Sequence, residues 1–113
     1  MGNKYDEYGR MIKPVSINGS LATVTHTVVN ATTVSGAALA ANVNRKYALL
    51  INDSDTVLYI KIGATAVVNQ GIRLNANGGS YEISHAVGNL NTGVVNVIHA
   101  GIGNKVILVA EGV

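Results

Sequence analysis

Residues 45–63 read RKYALLINDSDTVLYIKIG, and this stretch decides the fold. Two mostly apolar runs, Arg45–Asn52 and Val57–Ile62, flank the polar segment Asp53–Thr56. The runs are rich in β-branched and aromatic residues, whereas Asp and Ser side chains favour turns. Two runs of this length with so short a connection predict an antiparallel hairpin.

The sequence upstream of this hairpin predicts one clear strand. Residues 21–29 alternate apolar and hydroxyl side chains, a period of two that is typical of a strand. Residues 30–35 are expected to continue as a second short strand. Residues 36–41 are rich in alanine but too few for a stable helix, so we expect a loop or a single turn there.

The sequence downstream of the hairpin predicts further short strands. Residues 71–74 and 80–84 flank a turn that is rich in asparagine and glycine. Residues 94–100 and 104–110 are apolar runs on either side of Gly101–Gly103. These last two runs predict a terminal hairpin.

The complete pattern predicts an all-β chain with an arm. About seven or eight short strands, with turn residues roughly every 8–12 positions, are typical of an antiparallel β-sandwich or a jelly-roll-like barrel. The only proline, Pro14, follows a short segment that is rich in charged residues. We therefore expect residues 1–20 to form an extended N-terminal arm and residues 21–113 to form the sandwich domain.

The composition argues against several classes of protein. A net charge of +2 without a run of lysine or arginine argues against nucleic acid as a partner. No stretch of about 18 apolar residues is present, so no membrane span is expected, and the N-terminus lacks the pattern of a signal peptide. Phenylalanine, tryptophan and cysteine are absent, so the core must use small aliphatic side chains. Such a core benefits from burial between copies, and a homo-oligomer, specifically a trimer, is expected.

Three histidines are the first candidates for chemistry. His26, His85 and His99 lie on distant predicted strands or at their ends, and a trimer could gather one of them from each chain into a metal site. No two of them have the spacing of metal ligands, so polar positions on half-buried strands, or histidines that bond to a backbone carbonyl, explain them better. The carboxylates Glu82 and Glu111 are isolated, which makes a weak case for acid–base catalysis. We predict no catalytic residue, no metal site and no cofactor.

The polar segment Asn52–Asp55 is the second candidate. Calcium loops place oxygen ligands at alternate positions, but an EF-hand also needs a bidentate glutamate downstream, and none follows here. A turn that is capped by its own side chains is the better interpretation. The glycines of Gly78-Gly79 and Gly101–Gly103 lack the strand-to-helix context of a phosphate-binding loop and are interpreted as hairpin glycines.

The N-terminal arm is the remaining candidate, as an interaction segment. Its tyrosines supply apolar anchors of the kind found in protein interfaces, whereas a plain tail is the alternative. Residues Asn42–Lys46 are either surface contacts or the solvated entrance of a strand. The candidate interaction residues of the arm are Lys4, Tyr5, Tyr8, Arg10, Met11, Ile12 and Lys13.

The segment from Asn42 to Gly63 resembles small virion proteins of tailed bacteriophages. In those proteins an Asn-x-Asn-Arg-like entry leads into an apolar strand, a polar turn and a Val-x-Tyr-Ile-x-x-Gly strand. Residues 71–84 are similar to the next segment of such proteins, where a Gly-Ser-aromatic-Glu strand follows an apolar one. The resemblance covers roughly residues 42–110, and structural motifs carry it.

The resemblance implies a capsid decoration (cement) protein. Such proteins are β-rich, often trimeric, and have arms that lie over the major capsid protein. The implied role is that of a non-enzymatic protein, made in the host cytoplasm, that binds the outer surface of an assembled capsid and stabilises it. The alternatives are a head-fibre, tail or receptor- or glycan-binding virion module of the same fold and, with less support from the residues, a small hydrolase.

Overall fold

The computed structural model describes residues 20–113, which form eight β-strands and no helix. The predicted interaction residues of the arm, Lys4 to Lys13, lie outside the described residues. In chain order the strands are β1 (Val24–Ala31), β2 (Gly36–Leu39), β3 (Tyr47–Asn52), β4 (Leu58–Ile62), β5 (Ile72–Leu74), β6 (Ser80–Ser84), β7 (Val95–Ile98) and β8 (Lys105–Gly112).

The strands form two four-stranded antiparallel sheets that pack face to face. The first sheet has the order β1-β8-β3-β6, and the second has the order β2-β7-β4-β5. The strands therefore pair from the ends of the chain inward: β1 with β8, β2 with β7, β3 with β6, and β4 with β5. This nested pairing is that of a jelly roll, and it confirms the predicted all-β sandwich.

The core lies between the sheets and follows the alternation of the strands. In β3, Ala48 and Leu50 are fully buried, whereas the alternate residues Leu49 and Ile51 point to the outside. The core is built from small and medium aliphatic side chains, as the composition predicted. Its members are Ala31, Ala38, Leu39, Ala48, Leu50, Leu58, Ile60, Leu74, Ile83, Val95, Val97, Ile107 and Val109.

Both predicted hairpins are wrong, because their strands lie in opposite sheets. β3 belongs to the first sheet and β4 to the second, and β7 and β8 are separated in the same way. The chain arches across after β3 because the Asn52 side chain turns inward and donates to the carbonyls of Thr56 and Leu74. Of the described strands, β4 and β5 alone are consecutive in the chain and adjacent in a sheet.

Two predicted elements upstream of β3 also differ from the structure. Residues 32–35 form a turn rather than a strand, because the Thr32 hydroxyl accepts from the N–H of Val34 and donates to its carbonyl. β2 replaces the predicted loop, since Ala38 and Leu39 are buried and the strand pairs with β7. Tertiary pairing here overrides the low strand propensity of alanine.

Arg45 joins several segments at one end of the sandwich. The sequence placed it at a surface contact or a solvated strand entrance, which is wrong, since Arg45 is only 2% exposed. Its Nε donates to the carboxylate of Glu111 at 2.7 Å. Its Nη1 donates to the carbonyls of Asn91 and Gly93, and its Nη2 donates to that of Ala40. Arg45 thereby connects β8 to the β2–β3 and β6–β7 connections.

His99 has the corresponding role at the opposite end. It is fully buried, and its Nε2 lies 3.1 Å from the carbonyl of Ala31 and 2.7 Å from that of Gly103. Its Nδ1 accepts from the N–H of Gly101. The neutral tautomer with hydrogen on Nε2 satisfies these contacts. His99 thus ties the end of β1 to the β7–β8 connection.

Replacing Arg45 is expected to destabilise the fold strongly. Arg45→Met leaves the Glu111 carboxylate and three carbonyls without their donor, so the free energy of unfolding should fall by about 3–5 kcal/mol. Lys105→Met is the matched control, because the ion pair of Lys105 with Asp55 lies at the surface and such pairs contribute at most about 1 kcal/mol. Equilibrium urea unfolding measures both variants, and similar losses for the two would contradict this role of Arg45.

Candidate functional site

The outer faces of the two sheets differ in whether another segment of the chain covers them. The connection between β4 and β5 crosses the outer face of the second sheet. Tyr59 and Asn96 point outward from that sheet and both donate to the connection: the Tyr59 hydroxyl to Asn69, and the Asn96 amide to the carbonyl of Ala64. The second sheet is therefore covered by a segment of its own chain.

The outer face of the first sheet is apolar, and no other segment of residues 20–113 covers it. Strand register places Val28 and Ile51 on either side of Leu108, and Leu49 next to Ala110. Val28 is 67% exposed, and the other four are half-buried. With their neighbours they line an open groove of about 390 Å³. We call Val28, Leu49, Ile51, Leu108 and Ala110 the apolar sheet face.

Polar groups border the apolar sheet face. The exposed His26 lies opposite Ala110 in the sheet. On the other side, Tyr47 lies near Glu82, and burial together with the negative charge of Glu82 raises the pKa of Tyr47. An apolar centre with a polar border is the usual composition of a protein interface.

Leu21 packs at one end of this face. Its side chain lies directly over Gly112, where a Cβ atom would collide with it. Gly112 is paired with Val24 and with Tyr47, whose side chains point to the same outer face. The first described residues are therefore fixed beside the apolar sheet face.

The predicted chemical candidates are not brought together in the structure. His26 and His85 are exposed, whereas His99 is buried and makes the hydrogen bonds to the backbone that are described above. Glu111 is paired with Arg45. Within residues 20–113, no three acidic or histidine side chains are placed so that they could hold a metal ion.

The polar turn after β3 is held by its own side chains, as the turn interpretation predicted. The Asn52 side-chain oxygen accepts from both the N–H and the hydroxyl of Ser54. The Asp55 carboxylate accepts from Lys105 at 2.9 Å and from the Thr56 hydroxyl. Both bonds lower the pKa of Asp55, and the bond from Lys105 has the larger effect. The oxygens that suggested a calcium loop thus serve the turn.

Sequence reasoning missed the apolar sheet face, although a signal for it exists. β3 contains YALLI and β8 contains VILVA, so both strands carry apolar residues at consecutive positions. A strand with one buried and one solvated face alternates apolar and polar residues instead. Consecutive apolar residues on antiparallel strands therefore indicate a second apolar face.

The geometry of the site suits contact with another protein surface. Its centre offers apolar side chains, and its border offers hydrogen-bonding groups. Neither a protein-family model nor a curated protein nor a solved structure matches this chain. Over residues 20–113, no helix is long and apolar enough to cross a membrane.

The Tyr47–Glu82 pair leads to a prediction for alkaline pH. Tyr47 should titrate above the ordinary value of 10.0, because burial and then Glu82 disfavour its phenolate. A raised folded-state pKa contributes stability that is present below the ordinary pKa and is lost as the pH rises through the raised one. Glu82→Gln should lower the pKa of Tyr47 but leave it above the ordinary value, since burial is the largest cause.

Ultraviolet difference titration measures this effect. Subtracting the titration of Tyr47→Phe from that of the unmodified protein isolates the Tyr47 transition, and the same subtraction is made in the Glu82→Gln background. A Tyr47 transition that Glu82→Gln does not move would contradict the pairing.

Proposed function

We propose that this protein is a structural virion protein that binds the outer surface of an assembled bacteriophage capsid and stabilises it. The observation that carries the proposal is the apolar sheet face, which is open while the other sheet is covered by its own chain. The proposed partner is the major capsid protein. The proposed role is adhesive and involves no reaction.

The use of polar side chains supports adhesion over catalysis. Arg45, Asn52 and His99 direct their donors and acceptors to the backbone of neighbouring connections. Catalysis needs an acid, base or nucleophile that is free to meet a substrate. The apolar sheet face instead offers surface whose burial is favourable in itself.

The size of the apolar sheet face bears on how the protein would attach. Three strands about 4.8 Å apart, with about five residues of roughly 3.3 Å each, span an area of roughly 200 Å². A stable interface buries about 800 Å² on each partner. One face is therefore a weak site. We assign further contacts to the N-terminal arm, and we expect repetition over the capsid lattice to add to the attachment.

The resemblance of residues 42–110 to small phage virion proteins supports the choice of a capsid as partner. Attachment as a trimer, which that resemblance also implies, stays a prediction. The alternative role as a head-fibre, tail or receptor-binding module rests on the same resemblance. Only the cement role predicts that the protein stabilises the capsid, so a measurement of capsid stability distinguishes the two.

Added to capsids that lack it, the protein is expected to raise the temperature at which they rupture. A ligand that binds only the assembled state stabilises it by about RT ln(1 + [L]/Kd) per site. Leu108→Asp puts a charge in the centre of the apolar sheet face and should remove most of the shift. Val34→Asp is the matched control, because Val34 is exposed in the turn after β1 and does not line the groove of this face.

Differential scanning fluorimetry of capsids follows the rupture, and circular dichroism checks that both variants fold. A rupture temperature that stays unchanged at saturating protein contradicts the cement role and favours the fibre or receptor-binding alternative. Equal shifts with Leu108→Asp and Val34→Asp would place the contact elsewhere on the molecule.

Deleting residues 1–13 should weaken binding to the capsid and leave the sandwich folded, since the described strands begin only at Val24. Within the arm, replacing Tyr5 and Tyr8 by Ala should weaken binding more than replacing Lys4 and Lys13 by Ala. Aromatic anchors usually outweigh charges at the border of an interface. A pelleting assay measures binding, and undiminished binding of the truncated protein would make the arm a plain tail.

A further inference from the structure

β1 is an edge strand whose outer side has no partner among residues 20–113. It lies at the end of the first sheet, next to β8 alone. With 8 residues it is longer than the other edge strands, since β6 has 5, β2 has 4 and β5 has 3. From Val24 to Val28 it is exposed on both faces.

The free backbone groups of β1 belong to alternate residues. Just before the strand, Thr23 and Val113 exchange both of their N–H···O bonds, at 3.3 and 3.0 Å. In an antiparallel pair, such doubly bonded positions alternate with positions whose groups point away from the neighbour. The residues that direct their N–H and C=O groups to the free edge are therefore Val24, His26, Val28 and Asn30.

The other three edges carry features that hinder pairing. On β6, the Asn89 side chain accepts from the N–H of Ser84 and donates to the carbonyl of Glu82. β5 is short and carries Arg73, and β2 is short with an irregular register. Proteins use short strands, charges and irregularities to prevent edge-to-edge association. β1, with the sequence VTHTVVNA, has no acidic residue, lysine, arginine or proline.

We propose that β1 pairs antiparallel with β1 of a second copy of this chain, about a twofold axis at Thr27. In this register His26 lies opposite Val28 of the second copy, Val24 lies opposite its Asn30, and Thr27 lies opposite Thr27. Every outward backbone group from Val24 to Asn30 then has a partner. The two first sheets, with four strands each, join into one continuous sheet.

The chemistry of β1 fits a copy of itself. A twofold interface brings the same surface together with itself, so like charges on that surface would repel. β1 offers no acidic, lysine or arginine side chain, and its threonines and valines form favourable cross-strand pairs. The joined sheet also sets two apolar sheet faces side by side. The proposed assembly has two copies, whereas the sequence predicted a trimer. The proposed pairing does not depend on capsid binding.

A single introduced thiol tests the register, because the chain has no cysteine. Opposed residues that do not bond to each other have Cα atoms about 4.5 Å apart, which is within the roughly 4.4–6.8 Å that a disulfide spans. Thr27→Cys in the full chain is therefore expected to form a disulfide-linked dimer on mild oxidation. Thr25→Cys is the matched control: it is exposed on the same face of the same strand, but its symmetry mate is roughly 14 Å away.

Sedimentation velocity of the unmodified chain gives the second measurement. We expect a dimer whose dissociation constant rises at least tenfold with Val28→Lys, which places a charge at the free edge, and stays unchanged with Val34→Lys in the exposed turn. A crosslink through Thr25→Cys instead of Thr27→Cys overturns the register. A monomer that forms neither crosslink overturns the pairing. Neither measurement uses capsids, so the two proposals can fail separately. If the protein is a monomer in both measurements but still binds capsids, the pairing is refuted and the proposed function stays intact.

Discussion

A buried guanidinium holds one end of this sandwich together. The Arg45 side chain lies where the β2–β3 connection, the β6–β7 connection and β8 meet, and it bonds to all three. A buried carbonyl without a partner costs about 1–3 kcal/mol, so these segments could not converge there without a donor. The planar fork of arginine supplies several donors in fixed directions, which the single ammonium group of lysine does not. The β2–β3 and β6–β7 connections each join one sheet to the other, so this side chain helps to fix the relative placement of the two sheets.

Most of the strands could be predicted from the sequence, with β2 as the exception, but their pairing could not. A hairpin and an arch between sheets share the same local pattern of two apolar runs and a polar turn. They differ here in the direction of the Asn52 side chain, which is set by the carbonyl of Leu74 in a distant strand. The burial of Arg45 was missed for a similar reason, because its partners are up to 66 positions away in the chain. The apolar sheet face, in contrast, was readable from the consecutive apolar residues of β3 and β8.

The two sheets have different relations to the solvent. The second is covered by the β4–β5 connection, to which Tyr59 and Asn96 are bonded. Among residues 20–113, the first has both an uncovered apolar face and an edge without a partner strand, and Val28 belongs to both of them. A single chain that buries small aliphatic side chains has a modest core, and its stability is therefore more sensitive to burial at contacts with other chains. The side of the molecule that is open to such contacts is the side of the first sheet.

The nested pairing also determines when each strand can find its neighbour. Val24 is paired with Gly112, so within residues 20–113 β1 has no hydrogen-bonding partner until the last strand has been synthesised. At about 5–20 residues per second, the ribosome needs roughly 4–16 s to make the roughly 80 intervening residues. During that time no strand of residues 20–113 pairs with either edge of β1, and closing so long a loop is itself slow. Nascent chains on one polysome could meet through β1 in this interval, so we expect the yield of folded protein to depend on how quickly translation reaches β8.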